Sequence, residues 1–153
     1  MTIRGLLACT LLALSATAIA AAPSSPGVHV KNSWIRWLPA NLPAAGYAVI
    51  MNDGPATARL VSASSPDYGS VMLHRSRLAH GDSTMEHVDH LDIPTHGSVT
   101  LSPGGYHLML MHAKRPIKPG DTVKMTLDFA GGATLQVDFS VLPANASGPS
   151  ASD

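Results

Sequence analysis

A chain of 153 residues carrying 10 basic and 10 acidic side chains has the length of one domain and no net formal charge. That balance argues against a nucleic-acid binder, which needs a basic surface to displace counterions, and against a polybasic membrane-surface protein. Hydrophobic residues at 45% suffice for a folded core, and the unusual content is 8 His and 7 Met in a chain with few other reactive side chains.

Residues 1–20, MTIRGLLACTLLALSATAIA, place one positive charge at Arg4 before an apolar run and end in the small-x-small triplet Ala18-Ile19-Ala20. This is the pattern of a secretory signal peptide, and it predicts export to the periplasm, cleavage near Ala20 and no stable membrane anchoring afterwards. Leu7-Ala8-Cys9 has the form of an acylation site, but it precedes any adequate apolar run, so Cys9 reads as part of the signal. The exported chain then has no cysteine, hence no disulfide, no thiolate nucleophile and no thiolate metal ligand. Residues 21–27 read as a flexible leader, 28–142 as one domain, and 143–153 as a disordered Pro/Ser/Ala tail.

Within 28–142, turn signals recur at Asn52-Asp53-Gly54-Pro55, Pro103-Gly104-Gly105, Pro119-Gly120-Asp121 and Gly131-Gly132. Apolar residues alternate between them. Val28, Val30, Trp34 and Trp37 mark a first strand region; Tyr47, Val49 and Met51 a second; Leu60-Val61 and Val71-Met72-Leu73 follow. Later come Val99 with Leu101, the run 106–112, and two period-two runs, 123–129 and 135–141, joined as a hairpin through Ala130–Ala133. No stretch supports a long amphipathic helix. The fold class expected is all-β, an antiparallel β-sandwich or Greek-key barrel.

On a strand, His107, Met109 and Met111 share one face while Tyr106, Leu108 and Leu110 share the other. Met72 with His74, and Met85 with His87, are likewise same-face pairs. Imidazole nitrogen and thioether sulfur suit the soft ion Cu(I), and thioethers escape the thiol oxidation of an exported compartment. Met51 and Met125 read as core filler, and His29, His80, His90 and His96 as surface residues. A lone His-x-Met on a strand is more often packing than a ligand pair, so the set counts only as a constellation.

That constellation resembles the periplasmic copper-A chaperone (PCuAC) family, whose signature is a His, ten residues, a Met, twenty-one residues, then His-x-Met. His74, Met85, His107 and Met109 stand at this spacing without a gap. Trp34-Ile35-Arg36, Gly46-Tyr47, Leu60-Val61-Ser62-Ala63, Pro103-Gly104-Gly105-Tyr106 and Lys118-Pro119-Gly120-Asp121 also look like the family's pattern. The resemblance implies a cupredoxin-like sandwich, a Cu(I) site of those four residues, and delivery of copper to the CuA centre of cytochrome c oxidase subunit II alongside Sco-type proteins. A carrier without turnover is the leading reading, and a monomer is expected. Many members bear a His- and Met-rich tail for divalent copper; residues 143–153 hold neither residue, so a second site would have to draw on His80, His87 or His90. Met72 and Met111 are candidates for the site's rim, and His112 has no assigned role.

Other readings are a copper sequestration or tolerance protein and a metal-free secreted β-sandwich binding module. A blue-copper carrier needs a thiolate, which the exported chain lacks. Hydrolase signatures such as Gly-x-Ser-x-Gly and His-Glu-x-x-His are missing from the sequence.

Overall fold

The computed structural model describes residues 27–39, 42–79 and 82–149. The described residues form ten strands and no helix: β1 Val28–Arg36, β2 Ala44–Asn52, β3 Ala58–Ser64, β4 Tyr68–Ala79, β5 Asp82–His87, β6 Leu91–Ile93, β7 Gly97–Leu101, β8 Tyr106–Ala113, β9 Thr122–Phe129 and β10 Thr134–Leu142. Hydrogen bonds link them in the order β5-β4-β8-β7-β2-β1-β10-β9-β3-β6, with β8 also pairing β2. One core cluster contains Ile50, Leu108 and Leu110 from one half of this ladder and Val123, Met125, Leu127, Phe129 and Phe139 from the other. The ladder therefore folds over on itself as a β-sandwich, the two inner faces sharing one apolar interior. All pairings are antiparallel except β1 with β10, and a single parallel bridge from Leu101 to Tyr106.

The β9–β10 hairpin forms where the alternation predicts it, with Thr134 opposite Asp128 and Ser140 opposite Thr122. Gly131 and Gly132 both take positive φ (88° and 85°), which the turn requires and side chains with a Cβ resist. On β2 the alternation misleads. Ala44, Ala48 and Ile50 face the core, while Val49 and Met51 are only half buried on the other face. Met51 is thus not core, whereas Met125 is fully buried. The cause is that Ala44–Met51 is apolar on both faces, so period two cannot say which face turns inward. Tyr47 is nevertheless buried, because Trp34 packs on it with ring centroids 4.7 Å apart. Gly46 allows β2 to lie close over β8: a Cβ there would stand 3.2 Å from Leu110 Cδ1 and 3.3 Å from Leu108 Cβ.

Asn52, at the end of β2, is buried yet satisfied. Its Nδ2 donates to the carbonyls of Ala56, Ile93 and Pro94, and its Oδ1 accepts from the Gly54 amide at 3.0 Å. This ties the β2 turn to β6 and discharges the cost of burying an amide. The two methionines give a direct stability test. Met125→Ala is expected to cost about 2–5 kcal/mol in denaturant unfolding, and Met51→Ala about 1 kcal/mol or less. Equal losses would place Met51 in the core.

Candidate metal centre

Pairing register brings the candidate residues to one outer face. Directly opposite residues of an antiparallel pair point to the same side. His74 on β4 lies opposite His107 on β8 and, on its other flank, opposite His87 on β5. Met72 lies opposite Met109, which in turn faces Ala45 of β2. Met85 lies opposite Ser76. A row of imidazoles therefore crosses three strands, with Met85 displaced to one side of it and Met109 to the other. The row continues on β1 and β2 as Trp34 opposite Tyr47, and Arg36 stands opposite Ala45.

Met85, His107 and Met109 line one depression of about 200 Å³, together with Leu38, Pro43, Ala44, Ala45, Tyr47, Ser76 and Gly104. His74 adjoins it, its ring centroid 6.0 Å from that of His107. No carboxylate lines this hollow; its side-chain donors are two thioether sulfurs, one imidazole and the hydroxyls of Ser76 and Tyr47. Met72 and Met111 lie on the same face but do not line it; Met111 stands farther along, opposite Ser70. A separate hollow of about 170 Å³ contains one histidine, His112, and no methionine. It offers no soft donor set.

His107 is 5% exposed, and its Nδ1 lies 3.2 Å from the Gly105 carbonyl oxygen. A carbonyl only accepts, so the contact requires a protonated Nδ1 and leaves the Nε2 lone pair free to ligate. The same carbonyl accepts from the Ser76 amide at 3.0 Å, which locks the Pro103–Gly105 turn to β4. His74 presents the complementary observation: its Nδ1 is buried and has no hydrogen-bond partner. Such an orphan is costly in a folded protein unless something binds it. Burial, and then the neighbouring His107 and His87, hold the His74 pKa below its ordinary value of 6.5. The neutral imidazole a metal needs is thereby favoured.

Among the described residues, no three His, Cys, Asp or Glu side chains gather into a group able to hold a metal. No site for a hard or borderline ion is closed among them, and a four-donor set here would have to include the methionines. Such a set suits a soft monovalent ion, because neutral thioethers bind hard cations poorly. Beside it, Arg36 lies 5.5 Å from the Trp34 ring centroid and 5.4 Å from that of Tyr47. Its Nη2 donates to the Ala146 carbonyl at 3.2 Å. Burial raises the Tyr47 phenol above its usual range, so this wall of the hollow is neutral.

The sequence did not reveal the Gly105 carbonyl, the Tyr47 wall or the placement of His87 against His74. The first is a main-chain group, and the others depend on register. Of the histidines considered for a second site, His80 lies outside the described residues, His87 is on β5 and His90 follows it in the connection to β6.

Comparison with known proteins bears on the same region. A family model described as "Putative lipoprotein LpqE-like" matches residues 28–141. The chain belongs to this LpqE-like, PCuAC family. A curated relative, "Putative lipoprotein Lxx21020" of Leifsonia xyli subsp. xyli, is 33% identical over 125 residues, covering 81% of this chain and 75% of that protein. The solution structure of the Cu(I) form of DR1885 from Deinococcus radiodurans is 33% identical, with a TM-score of 0.64 over 81% of this chain and 83% of that one. The apo PCuAC domain of PmoF2, 24% identical, superimposes with a TM-score of 0.66 over 83% of this chain and 98% of that domain, and shows the fold. The fold expected of a PCuAC member, the β-sandwich, is the one observed.

The lowered His74 pKa has a signed consequence. Above about 6.5, folded and unfolded states both hold this imidazole neutral. As pH falls below that value the unfolded chain gains the proton first, so the stability of the metal-free PCuAC domain declines until the folded-state pKa is passed. NMR titration of the metal-free protein is expected to give His74 a midpoint below 6.5; a midpoint at or above it would contradict the burial described.

Proposed function

We propose that this PCuAC protein is a copper chaperone that carries one Cu(I) on His74, Met85, His107 and Met109 and passes it to a partner. The observation that supports the reading most strongly is the donor chemistry of one hollow. Two thioethers and an oriented imidazole line it, beside a second imidazole whose buried nitrogen lacks any partner. Relatives described as binding copper, the Cu(I) form of DR1885 among them, agree with it.

Exposure is graded across the set. Met85 is 54% exposed on the edge strand β5, whereas His107 is buried. Release then runs from the edge inward: an incoming thiolate or thioether displaces the Met85 sulfur first, and the His107 nitrogen, held by the Gly105 carbonyl, leaves last. Each exchange keeps the ion coordinated, and the neutral donors leave it a single positive charge. Nothing in the cycle requires turnover of a substrate, so the protein is a carrier and not an enzyme. The acceptor we propose is the CuA centre of cytochrome c oxidase subunit II, with Sco-type proteins acting alongside; the carrier works as a monomer.

Export to the periplasm follows from residues 1–20, which lie outside the described residues. The relatives' printed descriptions as lipoproteins point to export as well, but they oppose the expectation of an unanchored product. The intact mass of the exported chain separates cleavage near Ala20 from acylation at Cys9.

Anaerobic titration is expected to give one Cu(I) per chain, with Met85→Leu and Met109→Leu each weakening binding by about tenfold or more in chelator competition. Both variants should remain folded, since neither side chain is in the core. Affinities equal to the parent's in both would remove these two residues from the site.

A further inference from the structure

Met85 differs from every other methionine among the described residues. Met51, Met72, Met109 and Met111 are half buried and Met125 is fully buried, whereas Met85 is 54% exposed. It stands on β5, an edge strand of the ladder, where every residue is exposed. The same side chain lines the hollow of the proposed Cu(I) site. The donor most open to solvent is therefore also the one most open to an oxidant such as peroxide, which converts a thioether it can reach to a sulfoxide.

We propose that Met85 is a reversible oxidation site through which peroxide stops the empty carrier from loading Cu(I). The inference rests on the preceding reading, in which Met85 is a Cu(I) ligand. One sulfur lone pair attacks the nearer peroxide oxygen, an S–O bond forms, the O–O bond breaks, and water leaves after proton transfer. The sulfur is oxidised by two electrons and the peroxide is reduced by two. The product presents a hard oxygen in place of a soft sulfur, and a soft monovalent ion binds such a donor poorly. The fold accommodates the change. Met85 lies outside the core cluster, and directly across the β4–β5 pair stands Ser76, which also lines the hollow and carries a hydroxyl able to donate to the new oxygen. Met125, wholly inside the core, cannot be oxidised without burying an unpaired polar atom. Methionine sulfoxide reductases reverse the step, so the block is lifted without new synthesis. Bound Cu(I) occupies the lone pair that peroxide needs, which makes the metal-free form the sensitive one.

The test uses the full exported chain, metal-free, exposed to limiting hydrogen peroxide with a copper chelator present. Peptide mass analysis is expected to find Met85 oxidised before any other methionine, and Met125 last. Chelator competition should then show Cu(I) affinity lowered by about tenfold or more, as in Met85→Leu. Reductases specific for the two sulfoxide epimers should together restore it, and the same dose of peroxide should not weaken Met85→Leu further. Circular dichroism establishes that the oxidised protein and the variant are folded. If another methionine is oxidised as fast as Met85, or the reductases restore nothing, the switch is wrong. It is equally wrong if the oxidised protein binds Cu(I) as tightly as the parent while Met85→Leu does not. If untreated Met85→Leu itself binds Cu(I) as the parent does, it is the preceding reading that fails.

Discussion

In an antiparallel ladder a slip of one residue turns every side chain to the opposite face. A slip between β4 and β8 would send His74 away from His107 and bury it among Leu108 and Leu110. A slip between β4 and β5 would replace Met85 and His87 on the outer face with Thr84 and Glu86. Everything proposed for this molecule depends on that register. The apolar face behind the site pins it: Leu108 and Leu110 are fully buried, and Val71 and Leu73 pack against the same cluster. Gly46 lets β2 close over β8 from the other flank, and the Gly105 carbonyl bonds β4 and the His107 ring together. Burial of the inner face thus aligns the proposed ligands on the outer one, although none of them belongs to the core cluster.

The lining of the proposed site carries no formally charged side chain. Two histidines in adjacent register repel when protonated, and burial of His74 adds to that penalty, so the imidazoles favour their uncharged, ligating form. With no carboxylate lining the hollow, a hard cation finds no compensating charge there. A soft ion loses little by accepting thioether and imidazole in place of water. Asp89, whose Oδ1 is 3.6 Å from His87 Nε2, does not line the hollow and is exposed, as His87 is.

Much of this was legible in the sequence, and the parts that were not share a cause. Strands β9 and β10 and their glycine turn could be read because each run alternates between one apolar and one polar face. His107 and Met109 were placed on one face by strand periodicity alone, as were Met72 with His74. β2 was misread because alanine, valine, isoleucine and methionine occupy both of its faces, leaving the burial of Ile50 rather than Met51 to tertiary packing. The parallel pairing of β1 with β10 left no signal, since it joins segments at opposite ends of the domain. Nor could spacing show that His87 would oppose His74: that depends on the β4–β5 register. The role of Gly105 lies in its main chain, so its identity as glycine says nothing of the bond it makes to His107.

The central claim is that one ion is held by two sulfurs and two nitrogens drawn from β4, β5 and β8. X-ray absorption at the copper edge of the anaerobically loaded protein tests it most directly. The account predicts Cu(I) with two sulfur and two imidazole-nitrogen scatterers, one sulfur disappearing in Met85→Leu. A first coordination sphere of nitrogen and oxygen alone, unchanged by that substitution, would contradict it.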